Sequence, residues 1–182
     1  AGRQLSLVLE GADLSFEYLK NMPPLSAPRA LLRVEGNTAE LTVPEATISP
    51  APETTLQLRS GRLTVAAVDA IQPLAEISLR FQGPLGATVD LLDREPIGLV
   101  SKLGVKVAGL EGKFDGQFNV KIPMKPSIVA TDLKIEGKAR ITEGAARNVI
   151  GKYSMQGATI NVTAQENGIE ANGEMLLGGV VA

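Results

Sequence analysis

From residue 110 to 122 the chain alternates without a break. Leu110, Gly112, Phe114, Gly116, Phe118, Val120 and Ile122 are separated by Glu111, Lys113, Asp115, Gln117, Asn119 and Lys121. Side chains on an extended strand point to opposite faces with a period of two. The stretch therefore has to be a strand with one apolar and one charged face, because helical winding would scatter both sets around the axis. At about 3.3 Å per residue it spans roughly 40 Å, against a usual ~17–20 Å. After Pro123-Met124-Lys125-Pro126 the alternation resumes through Val129, Leu133, Ile135, Ala139 and Ile141, set against Asp132, Lys134, Glu136, Lys138 and Arg140. A shorter strand over 75–82 turns Ile77, Leu79 and Phe81 inward.

Turn chemistry predicts three hairpins. A Gly36-Asn37 turn within 30–43 pairs Val34 with Ala39 and Leu32 with Leu41, leaving Arg33 opposite Glu40 as a cross-strand ion pair. A Ser60-Gly61 turn within 56–65 sets Leu58 against Leu63 and Leu56 against Val65. An Asn167-Gly168 turn within 158–177 pairs Ala164 with Ala171, Val162 with Gly173 and Ile160 with Met175. A slip of one residue would turn each apolar set into water, which pins the faces.

One segment leaves the pattern. Leu85, Val89 and Leu92 recur at helical spacing behind Pro84, a proline at the first-turn position, and Ile97, Val100 and Leu103 follow Pro96 before Gly104. Two short helices around residues 84–103 are expected. Residues 14–25, with Phe16, Tyr18, Leu19, Met22 and Pro23-Pro24, read as a strand end running into a proline-set loop. The fold class is thus mainly β: an elongated antiparallel sheet of long hairpins in one domain, residues 1–182. The start on Ala1-Gly2 and the apolar close at Val180-Val181-Ala182 suggest a piece of a longer protein.

Reactive groups are scarce. With no cysteine and no histidine among 182 residues, disulfides, thiol chemistry and the commonest transition-metal ligands are excluded. The serines lack a histidine partner, and the Gly83-Pro84-Leu85-Gly86 stretch lacks the spacing and lysine of a phosphate loop. Asp90, Asp93 and Glu95 near the helix junction suit caps and turns better than a metal. A net charge of −2, with basic residues spread singly, gives no footprint for nucleic acid. No catalytic residue, cofactor or metal is expected.

What remains is the apolar face. Two such sheets could close on each other as a sandwich, or one long sheet could curl into a groove. Strand length favours the groove, as does a lining of small aliphatic residues and glycine with only 3% aromatics. Such a lining is a smooth hydrocarbon surface, whereas a small-molecule pocket adds fixed polar anchors.

The order of signals resembles the AsmA-like superfamily of bacterial envelope proteins, and within it the YhdP-type domain. The resemblance rests on Phe16-Glu17-Tyr18-Leu19-Lys20-Asn21-Met22-Pro23-Pro24-Leu25 ahead of a glycine-centred hairpin, then Gly83-Pro84-Leu85, then Leu91-Leu92-Asp93-Arg94-Glu95-Pro96-Ile97. The long strand closes on Ile122-Pro123-Met124, where the family usually has Pro-Leu. The likeness runs over nearly the whole chain and lies in the order of motifs. It implies a taco-like β-groove in the periplasm, carried by an inner-membrane anchor outside this sequence. It also implies a non-enzymatic part in phospholipid transport or outer-membrane barrier maintenance, with phospholipid acyl chains, neighbouring repeats of the same chain or envelope proteins as partners. The family has no catalytic residues to carry over. The expected lipid-contacting residues are therefore those of the apolar face: Phe114, Phe118, Val120, Ile122, Leu133, Ile135, Ile160, Val162 and Met175. The alternative is a structural or assembly scaffold with a closed core and open sheet edges.

Overall fold

A computed structural model describes residues 6–18, 20–95, 97–98, 108–126, 132–150, 153–165, 168–178 and 180–181. The strands are β1 (Ser6–Phe16), β2 (Leu25–Glu35), β3 (Thr38–Val43), β4 (Ala46–Ala51), β5 (Thr54–Ala66), β6 (Leu74–Pro84), β7 (Ala108–Pro123), β8 (Lys134–Ile150), β9 (Tyr153–Gln165), β10 (Gly168–Leu177) and β11 (Val180–Val181), with helix α1 (Leu85–Leu92) between β6 and β7. All eleven strands belong to one antiparallel sheet, ordered β1-β2-β3-β5-β6-β7-β8-β9-β10-β11. Strand β4 continues the lane of β3 between β2 and β5. Pro44, which has no amide donor, and Glu45 separate the two. The mainly β, antiparallel class expected from the alternation is what the chain adopts.

Register carries apolar residues across the sheet in rungs. Leu9, Leu32, Leu41, Leu63, Ile77, Val120 and Ile135 are successive partners through seven strands. A parallel rung runs Gly61, Leu79, Phe118, Gly137, Ala164, Ile169. The charged residues between them form the other face. There Arg80 donates from Nε and Nη2 to the two carboxylate oxygens of Asp115 at 3.1 and 2.9 Å, and Ser78 meets Asn119 at 2.8 Å.

Irregularities also line up. Asp13, at φ +51°, lies opposite Pro28, and the register carries this level to Pro44-Glu45 and to the bulge at Arg59. A second line joins Gly112 (φ +126°), Glu143 (φ +56°) and Gly157 (φ +60°) across β7, β8 and β9. Bulges bend strands and increase twist, so irregularities aligned between neighbours distort adjacent strands at the same level.

Four expectations need correction. Ser60-Gly61 is no turn: β5 runs straight through it, Leu56 and Leu58 pair with Ile48 and Ala46, and Leu63 pairs with Leu41 and Ile77. The closing hairpin has Gln165 opposite Gly168, which sets Val162 against Ala171 and Ile160 against Gly173, two residues from the expected register. An even slip keeps every side chain on its face, so alternation could not detect it. Arg33 does lie opposite Glu40, but Arg33 pairs with Glu35 at 3.2 Å while Glu40 faces Arg62 at 3.9 Å. One helix is described, with Pro84 at its N-cap and not inside its first turn. Beyond it, Arg94 O accepts from the amides of Ile97 and Gly98; most of the expected second helix, 96–103, lies outside the described residues.

Candidate functional site

The apolar face has two unlike ends. At one, α1 lies on the face: Leu85, Val89 and Leu92 pack on the central cluster, while Leu91 joins Ile48, Leu56, Met22, Leu25 and Ala87. Leu56 and Thr88, both 0% exposed, are the most deeply buried large side chains described, and both belong to this end. The loop after β1 completes it. Tyr18 is 39% exposed, yet partial shielding from water pushes its phenol up to about 12 against the opposing pull of the Arg94 guanidinium. Arg94 Nη2 in turn donates to Pro50 O at 2.7 Å. The other end is made of turns: Gly36-Asn37, the loop between β5 and β6, and the loop after β7.

Between the ends stands an aromatic tier. Phe81 stacks on Phe114 and Phe118 with ring centroids 5.3 and 5.5 Å apart, and Phe114 and Phe118 are 6.2 Å apart and nearly parallel. Gly116 makes this possible. It faces Phe81 across the strands, and a Cβ there would lie 2.6 Å from the Phe118 ring and 2.7 Å from that of Phe114. Gly137 has the same relation to Phe118, its register partner.

The nine residues expected to contact lipid all fall on this one face, but not at one depth. Phe114, Phe118 and Ile122 are each 7% exposed and belong to the protein's own core. Val120, Leu133, Ile135, Ile160, Val162 and Met175 are half-buried. Val120 and Ile135 are register partners. Val120 and Leu133 flank Ile122 in one cluster, Ile135 and Val162 pack on the central cluster, and Ile160 with Met175 packs on Ala146, Met155 and Ala158. Ile141, already on the apolar side of the alternation, and Ile169, which sequence did not single out, extend this half-open strip across β8–β10. The register brings Ile141 beside Ile160 and Ile169 beside Ala164.

The face stays incompletely covered: Val120, Ile135, Ile141, Ile160, Val162, Ile169 and Met175 are half-buried. Among the described residues no helix is long and apolar enough to cross a membrane, and no group of three acidic residues could hold a metal ion. Among the described residues the arrangement is an apolar sheet face whose half-buried members are aliphatic. No protein-family model, curated protein or solved structure matches this chain.

Proposed function

We propose that the apolar face holds lipid acyl chains, and that the protein is a non-enzymatic lipid-transfer module of the bacterial periplasm. In this reading it is tethered to the inner membrane through a longer chain and serves phospholipid transport or outer-membrane barrier maintenance. The resemblance to AsmA-like proteins motivates the reading. The observation that carries it is the half-open aliphatic strip of Ile135, Ile141, Ile160, Val162, Ile169 and Met175 on one face of the sheet. Each methylene lodged there gains ~0.8 kcal/mol, while head groups stay in water at the rim. No directional hydrogen bond fixes the chain, so it can slide. In this reading the sheet curls into a taco-like groove, with the two lines of irregularity as the levels at which it would bend.

Photocrosslinking from Val162, with its neighbour Asn161 on the charged face as the control, tests this. Protein made in membrane-containing cells should yield phospholipid adducts at Val162 and none at Asn161. Equal labelling at both positions, or none at Val162, would sink the proposal.

A second reading, a scaffold that pairs through its sheet edge, is favoured by β1. This edge strand has a neighbour on one side only, and Leu7, Val8 and Leu9 are 41–53% exposed. Unprotected edges of this kind recruit other strands. Val8→Lys should then abolish any assembly seen by sedimentation while leaving lipid adducts at Val162 intact.

A further inference from the structure

Helix α1 depends on the sheet beneath it. It is eight residues long, its N-cap Pro84 supplies no side-chain acceptor, and neither end turn carries a charge that favours the helix. Gly86, Thr88 and Val89 are poor helix formers, and so short a helix does not persist alone in water. Its seat is apolar: Leu85, Val89 and Leu92 pack on the central cluster, and Leu91 packs with Ile48 and Leu56. Among the described residues no side chain of α1 is hydrogen-bonded or ion-paired to the sheet. One group resists the seat. The Thr88 hydroxyl is buried without a hydrogen-bond partner, a penalty that water would relieve. The flanks, by contrast, are fastened. Pro84 ends β6 opposite Lys113 of β7, and Arg94 Nη2 donates to Pro50 O at 2.7 Å.

We infer that α1 is a lid on the apolar face, covering β4–β7 while the face is empty and lifting when acyl chains take its place. This rests on the lipid-holding reading above. The ground beneath α1 is shared. Ile135, Ile141 and Val162 of the half-open strip pack on the same central cluster as Leu85, Val89 and Leu92, so a chain spreading from the strip toward β7 meets α1. A contact made by hydrophobic burial alone has no directional requirement, and a hydrocarbon chain can replace it. A lipid that needs the lifted state loses affinity by the factor that favours the docked one. The fastened flanks let the helix rise and return to one seat.

The chain has no cysteine, so Thr88→Cys, at a 0% exposed position, provides a lone thiol that alkylates only when α1 lifts. Adding a short-chain diacylphosphatidylcholine should quicken that alkylation by roughly tenfold. The same lipid should leave Ala75→Cys, buried in the cluster at the turn end, unchanged. Thr88→Val removes the resisting hydroxyl and strengthens the docked lid, so it should weaken capture of this lipid at a Val162 crosslinker by about fivefold. Capture at Val162 with no change at Thr88→Cys, or equal quickening at Ala75→Cys, would overturn the lid and leave the lipid-holding face standing. Unchanged or tighter capture by Thr88→Val would do the same. Absence of lipid at Val162 in the parent protein would instead overturn the face, and the lid with it.

Discussion

Gly116→Ala should destabilise the protein, against the usual preference for alanine over glycine in a strand. Glycine within a strand ordinarily costs about 0.5–1 kcal/mol relative to alanine, and the backbone at Gly116 is not in the left-handed region, so conformation alone would make the change stabilising. Space decides otherwise. The new methyl would sit 2.6 Å from the Phe118 ring and 2.7 Å from the Phe114 ring, well inside contact distance. Neither ring can simply step aside, because both stack on Phe81 and both are 93% covered. Overpacking of this kind costs about 1–3 kcal/mol, which leaves a net loss of about 1–2 kcal/mol after the backbone gain. For a chain of this size that is a fall in Tm of roughly 2–8 °C. The double variant Gly116→Ala, Phe114→Leu isolates the cause. Leucine removes one of the two rings that the methyl strikes, so the two changes together should cost at least about 0.5 kcal/mol less than their sum, a coupling typical of residues in contact. Chemical denaturation of the four proteins in this cycle measures it. Strict additivity, or a stabilised Gly116→Ala, would refute the claim that glycine is there to seat the aromatic tier.

Three further outcomes follow from single residues. Thr88 is fully buried in α1 and its hydroxyl has no hydrogen-bond partner; Thr88→Val, of nearly the same shape, should stabilise by about 1 kcal/mol in thermal melts, and a neutral or negative result would mean that the hydroxyl is satisfied. Ala67 follows β5 at φ +53°, a region that costs an L-residue about 1–2 kcal/mol, so Ala67→Gly should gain about 0.5–1 kcal/mol despite glycine's entropy cost; a loss in urea midpoint would contradict the strain. The Arg80 guanidinium holds the Asp115 carboxyl below its usual range, so the stabilisation is full above the unfolded value of about 3.9 and disappears as pH falls through the lower folded value. Asp115→Asn should therefore cost a little stability at pH 7 and nothing in strong acid. The effect is small because the two side chains are 55% and 45% exposed, and a pH-independent difference would sink it.

How much was legible differs between faces and registers. Strict alternation fixed the strands over 75–82 and 110–122, because period two admits no other solution. It placed all nine proposed lipid contacts on one face for the same reason. It did not give their depth. Phe118 is core and Val162 is half-open because Phe118 lies beneath Phe81 in mid-sheet, with α1 packed on the same central cluster, whereas Val162 lies two strands from the far edge; neither fact is local. Gly61 misled for an instructive reason. Its glycine marks a close approach, since a Cβ there would press on Leu58 Cδ2 at 3.0 Å, and glycine at a tight contact reads in sequence like glycine in a turn. Strand β4, interrupted by Pro50, carries too little alternation to be read at all.

The bent strands explain why one face of so large a sheet can remain open. A single bulge bends one strand, and its neighbours absorb the distortion by local twist. Here the departures at Asp13, Pro28, Pro44-Glu45 and Arg59 share one level through the register, and those at Gly112, Glu143 and Gly157 share another. Each strand bends where its partner bends, so the ladder survives on both sides of that level. Two stacked sheets need nearly aligned, evenly twisted surfaces about 10 Å apart, and a sheet distorted in this way offers no such surface to a second one. In the proposed groove it would curve over its own apolar side. Small residues at Gly116, Gly137, Ala139 and Ala164 along the middle of the face let this happen without collision, at the cost of filling the space between the walls incompletely. A core built this way has its buried central cluster on one side and leaves Ile135, Ile160 and Val162 half-buried, which is the surface the proposed lipid-holding reading calls on.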